Sequence, residues 1–286
     1  MDKREGIKVE NFDIWDPQNE IVLKIYEKDN YEIYDTGADS DICYIFFSSN
    51  GLYYPNTREI FEKLIVDQDR YEWKWVVKNS SIPNIAGRII YMRDIYKQWY
   101  SRGINKREDT IDKTLKRLEE LTKGYRIVTV GSSAGGYMAV LTAIKLKAEY
   151  CFNFSGQYQI PANLGNPYFD LCTMLQNYAG RIFYFLPAHC EADRKEYKSV
   201  QDVECVKAFL FNDCKHAATM LTGNISYIID RKQEDLLLLF EKNDGKEINK
   251  ILFLFQTVPF CKIFAIMMKE VKGFCVRRMG RKWNDV

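Results

Sequence analysis

The stretch RIVTVGSSAGGYMAVLTAIKL, residues 126–146, constrains the fold of this chain more than any other. An apolar strand-like run enters two serines hemmed by glycines and leaves at once in a helical pattern. Gly135, Ala139 and Ala143 recur at helical spacing, so the helix can lie close against a sheet. Gly131-Ser132-Ser133-Ala134-Gly135 reads as G-x-S-x-G with Ser133 at its centre. Such a turn needs small neighbours on both sides, because the central hydroxyl protrudes from a strained strand-to-helix bend. A phosphate-binding loop does not fit: there is no GxxxxGK[ST], no GxGxxG and no lysine where a phosphate would sit. Ser133 is therefore the candidate nucleophile. The backbone N–H of Ala134, at the helix start, is the first candidate donor to an oxyanion.

Apolar runs alternate with amphipathic segments through the rest of the chain, as in an α/β fold with a mostly parallel sheet flanked by helices. Strands are expected at 20–27, 30–37, 41–49, 71–78, 88–94, 125–132, 148–155, 181–188 and 206–212. The first two read as an antiparallel hairpin. The middle and late runs are apolar almost throughout, as strands covered on both faces should be. A helix is expected over 110–124, with Gly124 at its C-terminal end. Residues 221–286 read differently, as a helical and increasingly basic extension, so the chain is divided into 1–220 and 221–286.

A serine nucleophile needs a base, and the base needs an acid to orient it. The chain has two histidines. In one order found among such sites the serine comes first, the acid second and the histidine last. His216 follows the last expected strand, where a loop at the strand's C-terminal end would deliver it above Ser133. The acid should follow the preceding strand, and Glu191 and Asp193 both stand there; Asp193 is preferred. His189, in the same loop, is a candidate to line the site. A second oxyanion donor is expected in the loop after 41–49, from Ser49 or Asn50, where a simple Asn-Gly turn is the alternative reading.

GSSAGGYMAVLTAIKLKAEYCFNFSGQ, residues 131–157, resembles α/β-hydrolase-fold proteins of bacterial surface-polysaccharide gene clusters. RDIYKQWYSRGI, residues 93–104, is similar to a D-x-x-x-x-W-Y-x-x-G segment that the family carries before its nucleophile. The resemblance spans about residues 41–220. It implies the α/β-hydrolase fold and a triad of Ser133, Asp193 and His216. It also implies a loop beside the site carrying Asp94, Trp99 and Tyr100, either as substrate contacts or as core anchors. Some members are acetyl-coenzyme A-dependent O-acetyltransferases of capsular sugars, which makes acetyl-coenzyme A a candidate donor, with no resident cofactor, and a carbohydrate or small ester the expected substrate. A catalytically idle scaffold serving glycan assembly or export is the alternative. The chain lacks an HGGG oxyanion motif and a long apolar lid, which argues against a lipase.

Formal net charge is +2, so nothing global points to nucleic acid. The eight cysteines include no CxxC pair and several sit in apolar runs, as reduced cysteines packed as small hydrophobes do. With two histidines besides, a zinc site is not expected. The charged start, MDKREGIKVE, has no apolar core of a secretory signal, and a cytoplasmic protein is expected. The end, KEVKGFCVRRMGRKW, reads as a solvated helix, or alternatively as a peripheral contact with a membrane surface.

Overall fold

The computed structural model describes residues 12–270. Among these residues eight strands form one sheet: β1 (Tyr31–Asp35), β2 (Ile42–Phe47), β3 (Arg88–Met92), β4 (Arg126–Ser132), β5 (Tyr150–Phe154), β6 (Arg181–Pro187), β7 (Val206–Phe211) and β8 (Glu247–Ile248). Their order is β1-β3-β2-β4-β5-β6-β7-β8, and every pairing is parallel except that of β1 with β3. With the G-x-S-x-G turn leaving the central strand β4, this is the α/β-hydrolase fold.

Both faces of the sheet are covered, which is why the strands are apolar at successive positions rather than alternate ones. Cys43, Ile45 and Phe47 of β2 enter the cluster that also buries Leu115, Leu118, Tyr137 and Met138. Tyr44 and Phe46, pointing the other way, pack with Trp73, Val76, Val77 and Ile228. An aromatic ladder crosses this second face, with Phe154, Phe185 and Phe209 stacked at centroid distances of 5.0 and 4.7 Å.

Two expected strands are helices. Residues Glu20–Tyr26 are helical, with the Asn19 side chain accepting from the Val22 N–H and with Val22 and Ile25 buried one turn apart. The antiparallel partner of β1 is thus β3, from Tyr31 opposite Met92 to Asp35 opposite Arg88. Residues Lys74–Lys78 are helical too. Trp73, Val76 and Val77 are buried at helical spacing, whereas Trp75, which alternation would place inside with Trp73, is exposed.

The segment after 220 is helical over Thr222–Ile229, Gln233–Asn243 and Lys250–Thr257, and again over residues 260–270. It also supplies β8, a strand not expected from the sequence, which extends the sheet beside β7. Its Ile228, Ile229, Leu236, Ile248 and Phe253 lie in the same apolar cluster as Phe209 and Phe211 of β7, so the sheet and this segment share one core. The basic run 271–286 lies outside the described residues. Among the described residues, no helix is long and apolar enough to cross a membrane.

Candidate active site

Ser133 sits at φ 50°, ψ −122°, a conformation that side-chain-bearing residues rarely adopt. Packing on both sides holds it there. A Cβ on Gly131 would stand 2.1 Å from the Gly135 carbonyl oxygen, and one on Gly135 would stand 2.3 Å from the oxygen of Phe47. Only hydrogen fits at either position, so the Ala134–Leu146 helix approaches β2 backbone to backbone. The Ser133 N–H donates to the Phe154 carbonyl at 2.9 Å, while its hydroxyl makes no capping bond to the helix and stays available.

The hydroxyl instead meets His216. Ser133 Oγ lies 3.0 Å from Nε2 of His216, and His216 Nδ1 lies 3.1 and 3.0 Å from the two carboxylate oxygens of Asp193. Three residues far apart in sequence are thus joined in one hydrogen-bonded line. Asp193 is buried in the first turn of the Glu191–Val200 helix, its side chain 1% exposed, whereas Glu191 is exposed. The Asp193 hydrogen bond raises the His216 pKa above its ordinary 6.5, against the opposing effect of partial burial. Among the described residues, the grouping whose ligand atoms converge enough to hold a cation is Cys190, Asp193 and His216, all within 4.8 Å of one another. Two of its members are already committed to each other.

The loop after β2 differs from expectation in one respect. The Ser49 N–H donates to Oε2 of Glu72, and the Ser49 hydroxyl donates to Oε1 at 2.9 Å. Ser49 is therefore not an oxyanion donor, because its N–H is occupied. Asn50 opens the short 3-10 turn Asn50–Leu52, and a residue in that position has no preceding carbonyl to bond. Ala134, first residue of the long helix, is in the same situation. The would-be Gly135 Cβ also lies 2.8 Å from the Ser48 oxygen, so this loop abuts the turn that carries Ala134. The loop is fixed from beneath: Ser48 N–H donates to the Met92 carbonyl, Trp73 Nε1 to Phe47 and the Tyr100 hydroxyl to Ser48.

Glu72 was not foreseen. It lies in YEWKW, and a single carboxylate between two buried aromatics, Tyr71 and Trp73, is the signal that could have exposed it. Burial raises its pKa, while the Ser49 N–H and hydroxyl pull the other way.

In the 93–104 segment Asp94 and Tyr100 are buried supports and not substrate contacts. Asp94 is 4% exposed, and its carboxylate accepts the N–H groups of Tyr96, Gln98 and Tyr100. Burial lifts its pKa to about 6 despite those donors. This anchoring suits a loop in which Lys97, Trp99 and Tyr100 all have positive φ. Tyr100 is fully buried against Phe47 and cannot reach a ligand. Trp99 is half-buried, its indole N–H donating to Gln157 Oε1 at 3.1 Å. His189 does not join Ser133; its ring pairs with Glu247 of β8 at 3.1 Å beside a groove along the Glu191–Val200 helix.

No protein-family model and no curated protein matches the sequence. Solved structures do match in shape. A capsule O-acetyltransferase of Neisseria meningitidis serogroup A is 11% identical, with a TM-score of 0.47 over 75% of this chain and 92% of that one. MenH from S. aureus is 12% identical, with a TM-score of 0.44 over 75% of this chain and 98% of that one. A protein of unknown function from Staphylococcus aureus subsp. aureus Mu50 is 10% identical, with a TM-score of 0.46 over 74% and 91%. Likeness at this level concerns the course of the backbone and carries no side-chain correspondence.

Proposed function

We propose that this chain is a serine acyl-transfer enzyme, acting as a carbohydrate O-acetyltransferase or esterase in bacterial surface-polysaccharide synthesis. The observation that carries the reading is the line Ser133 Oγ, His216, Asp193, set at a strained turn beside the N–H groups of Ala134 and Asn50, which meet no partner among the described residues. His216 Nε2 takes the Ser133 proton as Oγ bonds to the carbonyl carbon, and the carbonyl electron pair moves onto oxygen. The N–H groups of Ala134 and Asn50 receive that oxyanion. The tetrahedral species collapses, the thiolate or alkoxide leaves with the proton from His216, and an acyl-serine remains. An acceptor hydroxyl, from sugar or water, then runs the same steps in reverse.

Acetyl-coenzyme A is the proposed donor in the transferase reading. A groove of about 750 Å³ along the Glu191–Val200 helix is lined by Arg194, Lys195 and Lys198 against the single acid Glu191, a net basic wall suited to donor phosphates. The carbohydrate assignment rests on the resemblance of segments 93–104 and 131–157. Incubation with acetyl-coenzyme A and with p-nitrophenyl acetate, followed by intact mass, tests the reading. Gain of one acetyl group on Ser133 from acetyl-coenzyme A is the expected result. An adduct from the nitrophenyl ester alone assigns an esterase, and turnover with neither donor defeats the proposal.

The base must be neutral to accept a proton, so activity is expected to fall as pH drops through the His216 pKa. The acidic limb of kcat/KM should therefore inflect above 6.5, in the direction that Asp193 moves this imidazole. Asp193→Asn should shift the inflection downward. A pH-rate profile of the two proteins checks both statements.

A further inference from the structure

We infer that the last described helices form a docking face for an anionic lipid surface. Fifteen large apolar side chains are exposed among the described residues, and six of them fall within residues 251–268. Ile251, Leu252 and Phe255 share one side of the Lys250–Thr257 helix. Phe260, Phe264 and Met268 recur every fourth residue along the helix over 260–270, and are 83%, 73% and 41% exposed. The opposite sides are anchored, since Phe253, Leu254, Val258 and Ile263 are buried. These helices are therefore packed amphipathic elements whose outer stripes are apolar where a water-facing stripe would be polar.

The surrounding charge selects the occupant. Lys262 and Lys269 flank the stripe, and Lys269 Nζ sits 4.0 Å from the ring of exposed Trp75. The one acid within residues 258–270, Glu270, is held by the Thr222 N–H, which leaves the two lysines to set the charge beside the stripe. A second copy would bring the same cations to the same place and be repelled. Anionic headgroups complement the cations while the acyl boundary accepts the phenylalanines. Because no described helix can cross a bilayer, the contact lies in the plane of the surface. The face is tied to the loop that carries His216: Lys250 Nζ bonds Asp213 at 2.7 Å, and the Thr222 N–H donates to Glu270 at 3.0 Å. Docking does not depend on the catalytic reading, and its test does not use activity.

The full chain is floated with vesicles of mixed phosphatidylglycerol and phosphatidylcholine, and with vesicles of phosphatidylcholine alone. It is expected to float with the first, to stay down with the second, and to be released by salt. The double variant Phe260→Ser, Phe264→Ser should partition at least about tenfold more weakly, since each ring loses its burial in the interface. Both side chains are exposed, so thermal unfolding of the variant should match the original chain. Several results overturn the inference: no flotation, equal flotation of the double variant, or equal flotation with neutral vesicles. A dimer that the double substitution dissociates does so as well, because the occupant would then be a second copy.

Discussion

Ser133→Ala is expected to lower turnover by about 10⁴- to 10⁶-fold while leaving the fold intact. In the proposed reaction the substitution removes the one atom that attacks the carbonyl. It leaves the His216–Asp193 pair and the Ala134 and Asn50 N–H groups in place, and these account for the rate that survives. Stability should hold because the Ser133 hydroxyl makes no bond to the helix, and its close partner, His216, is substantially exposed. Ala tolerates φ 50° no better and no worse than Ser, so the backbone strain is unchanged. Release of product from an activated ester, measured beside a thermal melt, decides the matter. Turnover within tenfold of the original would remove Ser133 from the mechanism.

Gly135→Ala should damage both stability and rate. The added methyl would stand 2.3 Å from Phe47 O and 2.8 Å from Ser48 O. Neither carbonyl is free to retreat, because Trp73 Nε1 bonds the first and the Tyr100 hydroxyl the second. The helix must then back away from β2. Overpacking of this kind costs about 3 kcal/mol, which lowers the midpoint of thermal unfolding by about 5 °C in a chain of this size. The same retreat carries Ser133 and Ala134 away from the loop at Asn50, and a displacement near 1 Å costs about 10²-fold in rate. Gly124→Ala is the control. Its φ is +86°, but nothing lies within 4 Å of an added Cβ, so it should cost about 1–2 kcal/mol and leave the rate alone. Equal melts and rates for the two substitutions would mean that the close approach at Gly135 is not needed.

The strand-turn-helix at 126–146 was legible because its chemistry is local: small residues at fixed offsets, with apolar runs before and after. His216 and the loop holding Glu191 and Asp193 were legible from chain order, since loops at the C-terminal ends of neighbouring parallel strands converge; the choice of Asp193 lies in its burial. What hid was tertiary. In EIVLKIYE the apolar residues satisfy both periods, and the Asn19 cap and the burial of Val22 with Ile25 decide for a helix. In YEWKWVVK the aromatic alternation is genuine, yet Trp73 goes inside and Trp75 outside. The strand β8 is two residues long, too short for any pattern to announce it. Asp94 and Tyr100 carried a motif that spacing could not assign, since a carboxylate accepting three backbone N–H groups and one facing a substrate look alike in a sequence.

The clamp of Glu72 on Ser49 has a consequence for how this protein could acquire new specificities. The carboxylate holds the Ser48–Ser49 peptide plane and the Ser49 side chain, one residue before Asn50, and the anchors at Met92, Trp73 and Tyr100 make the neighbouring backbone stiff before any substrate arrives. A cradle already oriented has little dipolar rearrangement left to undergo during the chemical step. Under the proposed acyl transfer, variation that changes the substrate is thus free to accumulate along the walls that hold donor and acceptor, while the cradle itself stays as it is.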